Sequence, residues 1–326
     1  MLIFIAKRVL GLGMILLALS VLVFLLVKTA PGDPIRIMLG ETASAEQVAH
    51  LTRLYGLDRP LPEQYLLWLK QALQGDLGVS VRRQLPVADL IAERMGATIE
   101  LGLASLLLSI LLGVPLGVIA AVKRNTWLDA GTMVLALIGV AAPSFWVGLL
   151  LLSTIGLSVD WVPIFGRGPA FGPALLELVR GDARPLIDSL RYLLLPALAL
   201  GTSMIAVITR ITRSSMLEVL GADFVRTARA KGVRPTMVVV GHALRNSLMP
   251  VVTVIGVQFG ALLGGAIVIE NVFAWPGVGR LIVQAITQRD FPLVQGSVLM
   301  LGAVFVIANL LVDLSYGLLD PRIRHE

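Results

Sequence analysis

The residues of this sequence best equipped for chemistry are cations. From Asp223 to Pro250 the stretch DFVRTARAKGVRPTMVVVGHALRNSLMP carries Arg226, Arg229, Lys231, Arg234 and Arg245. Such an array can pair with an acidic surface, but it holds none of the groups that make or break bonds. Elsewhere those groups are missing or scattered. The chain has no cysteine, which removes thiolate nucleophiles, thiolate metal sites and disulfides. Its three histidines, His50, His242 and His325, are widely separated, and His242 reads as a polar loop residue rather than a ligand. No GxxxxGK[ST] run is present to cradle a phosphate, no HExxH to hold zinc, and no serine sits in GxSxG. The expectation is a non-catalytic chain that binds no nucleotide through a phosphate loop and no metal.

The elements that must carry these cations are apolar. Of 326 residues, 56% are hydrophobic and only 15% are charged, whereas a soluble globule is about a quarter charged. Six windows are free of charge: Val9–Val27, Leu101–Val122, Ala130–Val159, Tyr192–Thr209, Asn246–Ile269 and Phe291–Val312. A helix crosses the hydrocarbon core with about 20 apolar residues, so the pattern predicts six transmembrane helices, the third window including part of a loop. The first window follows Lys7 and Arg8 like a secretory signal, but it is long and KTAPGD is a poor cleavage site, so it reads as a retained anchor.

Charge sets the orientation. With the N-terminus inside, the inner segments hold 13 basic and five acidic residues; the outer ones hold 14 and 15, mostly in one long loop. Short loops rich in Lys and Arg stay cytoplasmic and long loops count little, so both termini are expected in the cytoplasm. The basic stretch then has a plain reading as a topology signal.

The outer loop, Lys28 to Glu100, shows helical patterning. In SAEQVAHLTRLYG, Ser44 is a candidate N-cap with Gln47 three residues on, and Gly56 is the stop. In LPEQYLLWLKQALQG, Tyr65, Trp68, Leu69, Ala72 and Leu73 share a face that ends at Gly75, the aromatics suiting interfacial anchors more than ligand stackers. LPVADLIAERMG is a third short candidate. In the fifth window Gly256, Gly260 and Gly264 form a stripe, open to two readings: ordinary packing, or a surface facing another subunit or a pathway. Pro115, Pro143 and Pro196 predict kinks. Asp313 is the one acid embedded near a span, close enough to the interface to reach water or Arg322. The spans otherwise lack the buried charge pairs expected of ion-coupled carriers, so the energy for any transport must come from a partner.

RTARAKG, Arg226–Gly232, resembles the Glu-Ala-Ala-x-x-x-Gly loop of ABC-importer permeases. Ala228 and Gly232 fall on the last Ala and the Gly, while Thr227 and Arg226 replace the first Ala and the Glu. APGDP, TRSSMLEVL, HALRNSLMPVVT, NVFAWPGVGRL, RDFPLVQG and DPRIR extend the likeness over nearly the whole chain. Together they look like the dipeptide/oligopeptide/nickel permease family, and within it the first of the paired permeases of dipeptide systems. The resemblance implies an all-α membrane protein of type I importer architecture. It has an anchor helix over residues 1–30, a helical extracytoplasmic loop over 31–97, and a core of five helices over 98–326 that includes a coupling loop at 211–245. It further implies a coupling helix (Asp223, Arg226, Thr227, Ala228, Arg229, Lys231 and Gly232) that docks on a separate ATPase. The expected partners are a homologous second permease, two ATPases holding ATP and Mg, and an extracytoplasmic binding protein, in a bacterial inner membrane. Cargo would be dipeptides or short peptides, with glutathione or a nickel chelate as alternatives. A carrier or channel acting alone, or a membrane scaffold, are the readings from other classes. Asp223 stands i,i+3 to Arg226 and i,i+4 to Thr227 and can steady the helix start, and Gly232 can end it in a left-handed turn.

Overall fold

The computed structural model describes residues 2–29, 44–54 and 58–319. The motifs APGDP and DPRIR, the stop at Gly56 and Arg322 lie outside them, as does the side chain of Asp313. The described residues form helices. They are α1 (Leu2–Thr29), α2 (Ala45–Leu54), α3 (Leu61–Leu73), α4 (Val87–Val122), α5 (Trp127–Ala141), α6 (Ser144–Leu151), α7 (Phe171–Val179), α8 (Arg184–Leu220), α9 (Asp223–Ala230), α10 (Arg245–Val272), α11 (Val278–Thr287) and α12 (Phe291–Leu319). Two wider π-type stretches, Leu152–Gly156 and Val238–Leu244, follow α6 and precede α10. Five helices are long and apolar enough to cross a membrane, or six if the bent pair α5–α6 counts as one span.

Two differences from the sequence reading concern continuity. LPVADLIAERMG is not a separate helix: it forms the first turns of the 36-residue α4. Gly96 within it disfavours helix by about 1 kcal/mol relative to alanine, too little to end a helix whose Val87 and Ile91 are buried. The third window, conversely, is broken, with α5 and α6 meeting at 112°. A residue before proline is driven from the helical region. Ala142 accordingly has ψ 127° and Pro143 ψ 137°, so the kink expected at Pro143 is a full break. Pro115 and Pro196 sit inside continuous helices.

The chain divides into two compact units, residues 1–96 with 277–326, and residues 97–276. In the first, α1 runs along α12, where a Cβ on Gly302 would meet the tip of the Leu19 side chain, which would have to turn aside. Of the α3 face foreseen from its pattern, Tyr65 and Trp68 rest on α1, their rings 5.5 and 5.9 Å from Phe24 and the Tyr65 hydroxyl sharing a 2.8 Å hydrogen bond with Ser20, whereas Leu73 is 81% exposed. The capping box on α2 forms as expected, Gln47 N–H donating to Ser44 Oγ and Ser44 N–H to Gln47 Oε1. Asp290 is fully buried and knots the loop before α4 to the start of α12, accepting from Ser80 Oγ (2.5 Å), Val81 N–H (3.2 Å) and Leu293 N–H (3.4 Å).

In the second unit, α8 is the central post, with α5, α6, α7 and α10 packed on it. Its crossing with α4 is the tightest. A Cβ on Gly117 would fall 2.5 Å from Thr212 Cβ, and one on Gly113 2.8 Å from Ile208 Cγ2. Ser109 Oγ donates to Ser105 O at 2.7 Å and Gly201 O at 3.2 Å, adding a polar tie to this close approach.

Candidate functional site

The basic stretch folds into a short helix with a defined beginning and end. α9 opens after Ala222, with Asp223 in its first turn, where a negative charge suits the positive end of the helix. Arg226 Nη1 reaches back to Asp223 Oδ1 at 3.3 Å, the pairing foreseen from spacing. Thr227 binds differently: its Oγ1 donates to the Asp223 carbonyl at 3.0 Å, not to the carboxylate. With Asp223 96% and Arg226 73% exposed, that ion pair adds little stability. At the other end Gly232 takes φ +75°. The Gly232 amide donates to Arg229 O and the Val233 amide to Ala228 O, the pair of bonds that closes a helix through a left-handed glycine.

The faces of α9 divide sharply. Val225 is fully buried and Ala228 half-buried, while Arg226, Thr227, Arg229, Lys231 and Gly232 are exposed. Phe224 is also exposed, at 46%, giving the free face an aromatic that the motif did not flag. Behind α9 lies the π-type stretch Val238–Leu244 that leads into α10. Two serines join the helices on either side: Ser215 Oγ on α8 donates to Ser247 O at 2.9 Å, and Ser247 Oγ to Leu244 O at 2.9 Å. α9 is therefore a small cationic knob between the ends of two long helices that are themselves bonded together.

The glycine stripe is divided. Gly256 and Gly260 are buried, Gly264 is exposed, and a Cβ on Gly264 would meet nothing within 4 Å. Its neighbour Gly265 packs on α8, its Cβ position 3.1 Å from Leu200 Cδ1. Within the second unit the closest helix contacts use Gly113 and Gly117, which the sequence reading passed over.

The reading that the spans lack buried charge pairs needs correction. Asp129 in α5 is 4% exposed and takes a bidentate pair from Arg213 on α8, at 2.5 and 2.8 Å, plus the Asn125 amide at 3.0 Å. Arg167 pairs with Glu100 and stands 5.9 Å from the Trp275 ring. Glu270 is wholly buried and accepts from Thr98 Oγ1 at 2.6 Å; nearby, Trp275 Nε1 donates to Ala97 O at 2.8 Å. Windows chosen for lacking charge cannot reveal such pairs, whose members flank the windows and stand 84 and 67 residues apart. Among the described residues no group of three His, Cys, Asp or Glu could hold a metal ion.

Two family models match the chain. The model for the N-terminal part of binding-protein-dependent transport system membrane components covers residues 1–102, and that for the inner membrane component of these systems covers 113–325. The chain is 43% identical to the dipeptide transport system permease protein DppB of Escherichia coli K12, with 100% of each chain covered. It is 43% identical to the di/tripeptide transport system permease protein DppB of Pseudomonas aeruginosa UCBPP-PA14 and 42% identical to the glutathione transport system permease protein GsiC of Escherichia coli O6:H1, again with 100% of each chain covered.

Proposed function

The chain belongs to the inner membrane components of binding-protein-dependent transport systems, and from that premise we propose that it imports dipeptides or short peptides by borrowing motion through α9. It is a multi-pass, non-catalytic permease subunit of an ABC importer, and ATP hydrolysis belongs to other subunits. In our reading it pairs with a homologous second permease, two ATPases and an extracytoplasmic binding protein, both termini of the chain lying in the cytoplasm. The geometry of α9 carries the reading. A capped helix of eight residues, buried on one side through Val225 and bristling with Arg226, Arg229 and Lys231 on the other, suits a groove with an acidic lining.

The mechanism follows from what the knob is fixed to. Coupling between distant sites needs an element whose position both can bias. ATPases closing on ATP would shift α9, and the Ser215–Ser247 tie would pass that shift to α8 and α10 together. The spans would then tilt to open outward, and release after hydrolysis would return them. Asp129 and Arg213 would carry α5 along with α8.

Glutathione, itself a short peptide, is the second cargo reading, favoured by the 42% identity to the glutathione permease. Affinity purification of the chain should bring down an ATPase, and the complex in liposomes should take up dipeptide only with ATP. Arg226→Glu should weaken the ATPase pull-down. Solute flux through the chain alone would defeat the coupling reading.

A further inference from the structure

At the N-terminal end of α8, the loop of residues 160–169 folds back on the helix and borders an open, solvent-facing cleft of about 580 Å³. Glycine makes the fold-back possible. A Cβ on Gly168 would lie 2.8 Å from the Tyr192 ring and 3.1 Å from the Asp188 carbonyl. Gly166 turns the chain at φ +89°, and its amide donates to Phe273 O at 2.9 Å. The loop is thus held over the helix rather than hanging free.

The walls carry Asp160, Trp161, Arg167, Asp188, Arg191 and Tyr192. Arg167 is engaged by Glu100, yet its Nε and one Glu100 oxygen are buried with no hydrogen-bond partner. Arg191 holds only Asp188, at 3.2 Å, with both side chains nearly half exposed. Among the described residues Asp160 has no hydrogen bond or ion pair. The lining therefore offers the exposed carboxylate of Asp160, next in sequence to the exposed indole of Trp161, and the half-exposed guanidinium of Arg191; the Arg167 Nε is buried and out of a ligand's reach. The first suits an ammonium group, through charge and the face of the ring. The second suits a carboxylate. Ligand cavities commonly span roughly 300–1,000 Å³, which admits a dipeptide.

We propose that this cleft is a receiving site for free peptides, holding the α-ammonium group at Asp160 and Trp161 and the α-carboxylate at Arg191. The proposal rests on the reading of the cargo as short peptides. The orientation expected from the basic residues puts this end of α8 outside, where cargo leaving a binding protein arrives. Its charges are partly solvated, so the grip is weak, as a station on a path requires: cargo held tightly would not move on.

The test uses the complete transporter in liposomes with alanylalanine, its N-acetyl derivative and its C-terminal amide as probes. Asp160→Asn should raise the half-saturating concentration of alanylalanine about tenfold, the worth of a hydrogen bond to a charged group, and remove the preference over the N-acetyl form. Arg191→Gln should do the same relative to the amide. The binding protein is unaltered in both variants, so these shifts belong to this chain. Uptake of alanylalanine with half-saturation and preferences unchanged in both variants overturns the site and leaves the cargo reading standing. No ATP-dependent uptake of alanylalanine by the unaltered transporter overturns the cargo reading, and the site with it.

Discussion

Gly232 is the residue on which the shape of the knob depends. Its φ of +75° is open to glycine, while a β-branched side chain is strained there by about 1–2 kcal/mol, although no neighbouring atom lies within 4 Å of the Cβ position. Gly232→Val should therefore loosen the end of α9 without harming insertion. The expected result is ATP hydrolysis continuing at near its normal rate while uptake falls several-fold, read by assaying both in the same liposomes. Asp129 makes the opposite kind of prediction, about stability. Removing one partner from a buried pair strands the other charge and costs about 3–5 kcal/mol, less here because Arg213 keeps 25% exposure. Asp129→Asn should lower the melting temperature of the purified chain, with a loss of about 2 kcal/mol. Adding Arg213→Gln should restore part of it, since no charge is then left alone. The two residues also differ in how they could be found. Gly232 and its partners lie within one helical turn, so spacing reveals them. Asp129 and Arg213 meet only because α5 packs on α8, and no local pattern joins positions 84 residues apart.

At the scale of elements, a glycine pair and a single glycine make contrasting claims. Gly113 and Gly117 let α4 touch α8, and Gly117→Leu would drive a side chain into Thr212 and the Thr209 carbonyl, 2.5 and 2.6 Å from the Cβ position. That variant should fold poorly on its own, with a sharply reduced level of membrane-inserted chain. At Gly264, exposed, a Cβ meets nothing within 4 Å among the described residues, so for Gly264→Leu the level and melting should be unchanged. A loss of co-purifying second permease in that variant would mark Gly264 as a contact between subunits; full assembly and transport would make it filler. Element lengths were legible wherever hydrophobicity sets them: the first, second, fourth, fifth and sixth windows each fall on a long helix. The third was only half legible, because Pro143 announces a disturbance but not its size. The length of α4 was hidden for a related reason. Its first turns are patterned for the protein interior and its later turns for lipid, and the change of pattern at Gly96 resembles a boundary.

At the scale of the whole molecule, a break such as that between α5 and α6 sets a condition on assembly. A helix end leaves its last carbonyls without internal donors, and hydrocarbon offers none to replace them. Ala141 is exposed and Ala142 half-buried where the two helices part. Bare backbone of this kind at membrane depth is tolerated only against protein or water. The chain made without a mate should then be short-lived, and a pulse-chase in cells deprived of the second permease should find it degraded several times faster than in the intact assembly. Equal lifetimes would mean that the corner is wetted without a companion. A bend of 112° would then double as quality control, an orphan subunit advertising its own incompleteness to the proteases of the membrane.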